Sequence, residues 1–249
     1  MPSLDGAAVL VTGANGGIGT EFVHQAVARG AAKVYATART PKDWDDDRVV
    51  PLKLDINSPV SRAAAALAAK DVTVLINNAG MYIDGDSILN LSEGQIRETM
   101  ETNFFGPVLL AQAFAPVLTS HPESVIVDMH SVASWHAWGG AYSAAKAALW
   151  SATNSLRLEL APKGTHVVGV HVGYVDTAMA AHATGPKMQP ADLVRITFDA
   201  VEAGDFEVIA DELTSAVKAA LSAPIPALYP ELIGPASAEI RANVKGEDK

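Results

Sequence analysis

The sequence predicts an α/β fold, a doubly wound parallel sheet of about seven strands with helices on both faces. Apolar runs of strand length alternate with longer, alanine-rich stretches along the chain, as expected of helical crossovers between parallel strands. Several of these runs are continuous in Val, Ile and Leu, which is typical of strands buried on both faces. No internal repeat or low-complexity linker interrupts the pattern, so a single domain over residues 1–249 is predicted.

The predicted elements follow one another in strict alternation. Strands are predicted at Ala7–Thr12, Lys33–Ala38, Val49–Leu54, Val72–Asn77, Ser124–His130, His166–Val172 and Phe206–Ala210. Helices are predicted at Gly17–Arg29, Val60–Lys70, Ser92–Leu118, Ala141–Pro162, Pro190–Ala203 and Asp211–Ser222. Ligands of such sheets bind beyond the carboxyl ends of the strands, so functional residues are expected there.

The first strand runs into a glycine-rich turn and then into a helix. Backbone N–H groups and the positive end of a helix dipole would face a pyrophosphate at such a turn. Gly13 permits the tight turn, Gly17 permits close approach of the backbone, and Gly19 permits packing of helix on strand. Glycines also cap ordinary turns, but the place after the first buried strand favours a dinucleotide site. The predicted cofactor contacts in this turn are Gly13, Asn15, Gly17, Ile18 and Gly19.

The second strand ends at Ala38 and is followed directly by Arg39. An acid at this place would bind the 2′-hydroxyl of NAD, whereas an arginine accommodates the 2′-phosphate of NADP. A guanidinium pairs with phosphate through two charged hydrogen bonds, and no carboxylate lies at the strand end. The sequence therefore predicts NADP(H), favoured over NAD(H). In the alternative, Arg39 stacks on the adenine and serves either cofactor.

The third and fourth strands end in further candidate cofactor contacts. Asp55 could meet the adenine edge, although an N-cap or loop acid is an open alternative. The fourth strand ends in Asn77-Asn78-Ala79-Gly80, whose small and amide residues would let backbone lie against a ribose. We therefore predict cofactor contacts from Asn77, Ala79 and Gly80, with Asn77 also holding neighbouring strands together.

Tyr142 and Lys146 lie four residues apart on a predicted helix, so both side chains project from one face. An ordinary phenol is a poor acid–base catalyst at neutral pH. An ammonium one turn away favours the phenolate and should lower the pKa of Tyr142 into a working range. The pattern occurs by chance in many helices, and here it gains weight from the nucleotide-binding features.

Five motifs together resemble the short-chain dehydrogenases/reductases of the single-domain, Rossmann-type kind. They are TGANGGIG at Thr12–Gly19, NNAG at Asn77–Gly80, Asn103 in TNFFG, Ser131 in HSVAS, and YSAAK at Tyr142–Lys146. All occur in the family's order, and the resemblance covers nearly the whole chain. It implies a catalytic tetrad of Asn103, Ser131, Tyr142 and Lys146.

The resemblance also implies roles for these residues in carbonyl reduction. Tyr142 would donate its proton to the carbonyl oxygen, and Ser131 would stabilise the charge developing there. Lys146 would bind the nicotinamide ribose, and Asn103 would position a water between Lys146 and solvent. The Ser131–Tyr142 interval is shorter than is common in the family, which leaves Ser134 as an alternative to Ser131.

The chain also departs from the family after the sixth strand. Val172-Gly173 stands where the family commonly has Pro-Gly, and the resemblance places Val175 and Thr177 at the cofactor. An irregular loop near 174–189 follows, at the place expected of a substrate loop. Its Gly185-Pro186 step interrupts any regular structure.

Large amphipathic rings and methionines converge on the same predicted edge, which indicates an apolar substrate pocket without an anion clamp. The predicted pocket residues are Met81, Ser131, Trp135, Trp138, Tyr174 and Met179. As an alternative, the two tryptophans pack the loop or a subunit contact. His136 is interpreted as a loop histidine because Tyr142 already supplies the acid–base group.

Composition excludes several classes of protein. The chain is 49% hydrophobic and 18% charged, which fits a compact fold, and its net charge of −10 argues against nucleic acid or a membrane as partner. It has no cysteine and seven scattered histidines, so neither disulfides nor a metal site are expected. Met1–Gly6 lack the features of a signal peptide, and no apolar run approaches the roughly 18 residues of a membrane span. We therefore expect a cytoplasmic protein.

Two further segments bear on assembly. The segment near 223–235 contains four prolines, which predicts an extended surface arm. The predicted helix Ala141–Pro162 has small residues on more than one face, so it can pack on the sheet and on a second helix. By resemblance that helix belongs to a second subunit in a homodimer or homotetramer. The intramolecular stretch Glu98–Leu118 is the alternative.

These observations predict an NADP(H)-dependent carbonyl reductase or alcohol dehydrogenase that interconverts an apolar ketone and a secondary alcohol. One alternative is a non-catalytic NADP-sensing regulatory protein, which an intact Asn/Ser/Tyr/Lys set argues against. Another is a nucleotide-sugar epimerase or dehydratase. The short region after the sixth strand argues against so large a substrate.

Overall fold

The computed structural model describes residues 3–83 and 87–232, which form a single parallel sheet with helices on both faces. The strand order is β3-β2-β1-β4-β5-β6-β7, and every pairing is parallel. The strands are β1 Ala8–Thr12, β2 Lys33–Ala38, β3 Val49–Lys53, β4 Val74–Asn77, β5 Ser124–Met129, β6 Thr165–His171 and β7 Glu207–Ile209. The predicted doubly wound sheet is confirmed, with strand ends within two residues of the predicted ones.

Most of the helices lie in the crossovers between these strands, and the last two follow β7. They are α1 Gly17–Ala28, α2 Pro59–Ala68, α3 Glu93–Met100, α4 Gly106–Leu118, α5 Ala141–Leu160, α6 Pro190–Ala203, α7 Glu212–Ala219 and α8 Ile225–Leu228. None of the helices within residues 3–83 and 87–232 is long and apolar enough to cross a membrane.

Two apolar cores lie on opposite faces of the sheet, because successive strand residues point to opposite sides. Val9 and Val11 of β1 face one core, in which Phe22 of α1 packs edge-on against Phe198 of α6 at 5.4 Å. Leu10, between those two valines, faces the other core with α2, α4 and α5. Helices from one side of the sheet contribute to each core, and the parallel pairing places the carboxyl ends of the strands along one edge.

Two predicted elements differ in detail. The helix predicted over Ser92–Leu118 is two helices joined by a turn of π-helix at Glu101–Phe105. The predicted extended arm near 223–235 instead contains α8 and a 3₁₀ turn at Pro230–Leu232, and residues 233–235 lie outside the described residues. The prediction was wrong for α8 because proline is tolerated in the first turn of a helix, where no N–H partner is needed.

Candidate active site

A cavity of about 770 Å³ opens at the carboxyl edge of the sheet. Every predicted site residue lines this cavity except Asn77, Asn103 and Trp135. Within the described residues, no group of three or more His, Cys, Asp or Glu side chains is placed to hold a metal ion. The sequence motifs therefore converge on one site, as expected at this edge of an open α/β sheet.

The glycine-rich turn after β1 forms a tight cradle at one end of the cavity. Gly13 has φ +66°, and a Cβ at Gly19 would stand 2.2 Å from the Gly13 carbonyl oxygen. A Cβ at Gly17 would stand 3.1 Å from Cγ2 of Thr177. No side chain caps the start of α1, so its first N–H groups stay available to an anion. This geometry fits the pyrophosphate of a dinucleotide.

Hydrogen bonds between strand ends hold the cradle in place. Thr12 Oγ1 accepts hydrogen bonds from the backbone N–H groups of Asn78 and Ala79, each at 2.9 Å. The Asn78 side chain donates to the Thr12 carbonyl at 2.8 Å, and Asn15 donates to the Thr40 carbonyl at 2.8 Å. Asn78 was missed as a site residue, although the NNAG motif contains it.

Asn77 is not placed at the cofactor end, so its predicted contact was wrong. Its Nδ2 donates to Oδ1 of Asp128 at 2.8 Å, within the sheet and away from the cavity. Neighbouring strand residues point to opposite faces, and Asn78 therefore takes the cavity position. The hydrogen bond to Asp128 supports the predicted role of Asn77 in holding neighbouring strands together.

Arg39 and Asp55 lie where the second and third strands end, and both line the cavity. Arg39 is exposed, and its guanidinium makes no hydrogen bond or ion pair among the residues that the structure describes. Asp55 accepts a hydrogen bond from the backbone of Asn57 at 3.0 Å. Arg39 can thus receive an anion, whereas Asp55 already stabilises its own loop.

Asn103 occupies the π-helical turn between α3 and α4 and is fully buried. Its Oδ1 accepts from the backbone N–H of Met81 at 3.0 Å, and its Nδ2 donates to the Met81 carbonyl at 2.9 Å. A Cβ at Gly80 would stand 3.0 Å from the same Oδ1. The side chain therefore fixes the backbone of residues 80–81 beneath the cavity. Turns of π-helix inside helices often mark functional sites in this way.

Ser131 begins a 3₁₀ turn after β5, and its side chain forms a hydrogen bond with Tyr142. Its Oγ also accepts from the backbone N–H of Ala133 at 3.1 Å. Ser134, the alternative, accepts a 3.4 Å hydrogen bond from the Ser131 backbone and does not line the cavity. The geometry thus favours Ser131 as the serine that meets a substrate.

The electrostatics of Tyr142 differ from the expectation. Burial raises the pKa of Tyr142 to about 12, and the hydrogen bond with Ser131 opposes this rise only in part. Lys146 Nζ lies 5.6 Å from the Tyr142 ring centroid and donates to the Met129 carbonyl at 2.7 Å. Burial lowers the pKa of Lys146 to about 8. The predicted lowering of the pKa of Tyr142 is absent. Desolvation outweighs the effect of the Lys146 ammonium, which is directed at the Met129 carbonyl.

The outer wall of the cavity is aromatic. Tyr82 packs edge-on against Tyr142 with ring centroids 5.6 Å apart, and His182 stacks on Tyr82 at 5.0 Å. Tyr174 and Trp138 also line the cavity and are 41% and 52% exposed. His182 was missed because a lone histidine in an irregular loop carries no pattern. The wall can contact a flat apolar molecule beside Tyr142.

Trp135 does not belong to this wall, so its predicted pocket role was wrong. Its ring is 6% exposed and stacks on His171 with centroids 3.9 Å apart, while Trp150 packs edge-on against it at 5.9 Å. It therefore packs the loop that carries Ser131, as the alternative interpretation of the tryptophans proposed.

A nucleotide cradle beside a hydrogen-bonded serine–tyrosine pair defines a dinucleotide-dependent oxidoreductase of the Rossmann type. The family model described as short chain dehydrogenase matches residues 7–187, and the chain belongs to this family. A short-chain dehydrogenase from Penicillium crustosum is 39% identical over 184 residues, covering 68% of this chain and 66% of the relative. The match thus spans about two thirds of the relative's length.

Solved structures extend the similarity over more of the chain. A short-chain dehydrogenase from Burkholderia cenocepacia in complex with NADP has a TM-score of 0.87 and 34% identity, covering 94% of this chain and 100% of that one. An NADPH-bound carbonyl reductase from chicken fatty liver has a TM-score of 0.70 and 28% identity, covering 77% and 89%. The similarity to the first of these structures extends over nearly the whole chain.

Proposed function

We propose that this protein is an NADP(H)-dependent carbonyl reductase or alcohol dehydrogenase that interconverts an apolar ketone and a secondary alcohol. The observation that carries the proposal is the hydrogen bond between Ser131 and Tyr142 at the cavity that also contains the glycine cradle. A proton donor and a nucleotide site then share one cavity. That is the arrangement required when hydride and proton add to the two ends of a carbonyl group.

The chain's own residues supply the proton chemistry, and bound NADPH would supply the hydride. Tyr142 donates its proton to the carbonyl oxygen, and Ser131 donates a hydrogen bond to the same oxygen as charge develops on it. With its pKa raised to about 12, the Tyr142 phenol is protonated at neutral pH and carries the proton that reduction requires. Lys146 and Tyr142 would hold the ribose next to the nicotinamide. Val175 and Thr177 would bind the carboxamide of the nicotinamide.

The preference for NADP(H) is supported by Arg39. Its exposed guanidinium lies at the end of β2, the place that meets the adenosine ribose in this fold. It is one of two cationic side chains among the described residues that line the cavity, and the other is the buried Lys146. The relatives with NADP and NADPH described above are consistent with this choice of cofactor.

The substrate class follows from the rest of the lining. The described lining includes the aromatic side chains of Tyr82, Trp138 and Tyr174 together with Met81 and Met179, and Met179 is 45% exposed. Lys146 donates to the Met129 carbonyl, and among the described lining residues the other cationic side chain, Arg39, lies at the nucleotide end. A neutral, apolar ketone is therefore the proposed substrate.

Assembly as a homodimer or homotetramer also remains a proposal. Leu158 on α5 is 80% exposed and Phe105 beside α4 is 40% exposed, and burying such residues favours association. Light scattering on the purified protein gives the mass directly, and a monomer across the working concentration range would contradict the proposal.

The function is tested by following the absorbance of NADPH and NADH with a panel of neutral ketones. The panel pairs aryl, cyclic and open-chain ketones of similar hydrophobicity with keto acids as anionic controls. We expect NADPH-dependent turnover of neutral ketones and little turnover of keto acids. Tight binding of NADPH without turnover of any ketone would contradict the proposed function and support a nucleotide-sensing role.

A further inference from the structure

His171, the last residue of β6, fills the centre of the loop that carries Ser131. Its imidazole is fully buried between two rings of that loop. His130 stacks on one side with centroids 4.6 Å apart, and Trp135 stacks on the other at 3.9 Å and 12°. The loop therefore wraps around this ring, with Ser131 between the two stacking residues in sequence.

Both ring nitrogens of His171 face an oxygen. Nδ1 lies 3.4 Å from the carbonyl oxygen of Ser131, and Nε2 lies 3.4 Å from Oε1 of Glu207. Glu207 forms an ion pair with Lys218, whose ammonium lies 5.4 Å from the Trp135 ring centroid. A neutral imidazole carries one N–H, so it can donate to only one of these two oxygens.

The surroundings keep the ring neutral. Burial lowers the pKa of His171 to about 3, and the cations Lys218, Arg157 and Lys146 act in the same direction. The hydrogen bond to Ser131 opposes this shift. Burial also holds the pKa of the neighbouring His130 well below its usual value. Near neutral pH, His130 and His171 are therefore both uncharged.

The geometry of the two contacts places the single proton on Nδ1. Lys218 pairs with Oε2 of Glu207, and although Oε1 faces Nε2, Nε2 makes no hydrogen bond of acceptable geometry with any residue that the structure describes. The Ser131 carbonyl, in contrast, lies within hydrogen-bond reach of Nδ1. Donation from Nδ1 fixes the backbone of Ser131 at the start of its 3₁₀ turn.

We propose that His171 is a positioning residue for Ser131, donating from Nδ1 to the Ser131 carbonyl while His130 and Trp135 clamp its ring. This inference rests on the proposed function, since it gives Ser131 its place beside Tyr142. It assigns no contact between His171 and the substrate or cofactor.

A double-mutant cycle tests whether His171 acts through Ser131. His171→Phe keeps an aromatic ring between the two stacking partners and removes the hydrogen bond. We expect kcat to fall about tenfold, as for one lost hydrogen bond, with the Kd for NADPH unchanged. In a Ser131→Ala background the same change should cost no further activity, because the group it positions is gone.

The matched control is His166→Phe, the same change on the same strand, where the ring contacts Phe206 at the surface. It should leave kcat unchanged. An equal fall in kcat with and without Ser131, or no fall at all, would overturn the proposal. If His171→Phe does not fold, His171→Asn replaces it, because its amide can donate from the position of Nδ1 and should retain more activity than His171→Ala.

A measurement without turnover separates this inference from the proposed function. Nitrogen-15 spectra of the histidine side chains, assigned by loss of a signal in His171→Phe or His171→Asn, report which nitrogen is protonated. We expect a neutral Nδ1–H form of His171 from neutral pH to about pH 5, given its lowered pKa. A protonated Nε2 would overturn the proposal even if ketone reduction is observed, whereas absence of turnover with Nδ1–H present would reject only the proposed function.

Discussion

Asn77 of β4 donates a hydrogen bond of 2.8 Å to the buried carboxylate of Asp128 on β5. The second oxygen of Asp128 accepts from Thr153 of α5 at 2.7 Å, so one carboxylate joins two strands to the helix that carries Tyr142 and Lys146. Burial raises the pKa of Asp128, while these two hydrogen bonds and the charge of Lys146 oppose the rise. This network fixes the helix against the sheet and sets the height of Tyr142 relative to the strand ends.

The first prediction concerns the choice of cofactor. Arg39→Ala should weaken NADPH binding by about 10- to 100-fold, because charge-assisted hydrogen bonds to the 2′-phosphate are lost. NADH binding should be unchanged. Titration calorimetry of both cofactors measures this directly. The control is Arg48→Ala, which removes an arginine paired with Asp46 away from the cavity. Equal affinities of Arg39→Ala and wild type for NADPH would contradict the assignment.

The second prediction separates the two candidate serines. Ser131→Ala should lower kcat by about 100-fold or more, the usual cost of removing a donor to a developing oxyanion. Ser134→Ala should leave kcat within a few-fold and lower the free energy of unfolding by about 1 kcal/mol, since only a turn-capping contact is lost. Steady-state kinetics and urea unfolding on both variants decide the matter, and the reverse pattern would assign catalysis to Ser134.

The third prediction contrasts two tryptophans three residues apart. Trp135 is buried in the Ser131 loop, so Trp135→Leu should lower the free energy of unfolding by about 3 kcal/mol. Trp138 is 52% exposed at the cavity, so Trp138→Leu should change the ranking of ketones by kcat/KM with little change in stability. Unfolding curves and the ketone panel test this contrast. Equal loss of stability in both variants would contradict it.

The fourth prediction concerns acid. Burial lowers the folded-state pKa of His130 and His171 below the unfolded value of 6.5. As pH falls below 6.5, the two histidines bind protons in the unfolded chain but stay neutral in the folded protein. Stability is therefore lost by roughly 1 kcal/mol per pH unit for each group. Asp128, whose pKa is raised above 3.8, gives an effect of opposite sign, because as pH falls it binds a proton in the folded protein before it does so in the unfolded chain.

Urea unfolding at about pH 7, 6 and 5 measures this loss of stability. His171→Phe should flatten the profile, because one of the two buried imidazoles no longer titrates in the unfolded chain. His166→Phe, whose ring lies at the surface, should leave it unchanged. A wild-type profile that is flat over this range would contradict the prediction.

The sequence was sufficient to predict the fold because both signals of a parallel sheet are local. Continuous apolar strands and the glycines of the first turn can both be recognised directly in the sequence. In the structure, Gly19 has no room for a side chain. The motifs likewise placed Ser131, Tyr142 and Lys146 on one cavity.

Other features depend on contacts that no local pattern encodes. Asn77 and Asn78 are chemically identical neighbours, and only the strand register decides which one faces the cavity. Trp135 turned inward because His171, distant in sequence, offers a ring to stack on. The pKa of Tyr142 could not be predicted from its spacing to Lys146, since desolvation by the whole fold determines it.

The central claim is that Tyr142 donates the proton in NADPH-dependent reduction of a ketone. The most direct test compares wild type and Tyr142→Phe in the rate of NADPH oxidation with the best ketone of the panel, with Tyr35→Phe on β2 as a control. The account predicts a fall in kcat of about 1000-fold for Tyr142→Phe, with NADPH affinity retained and Tyr35→Phe close to wild type. A Tyr142→Phe variant that reduces the ketone at the wild-type rate would contradict it.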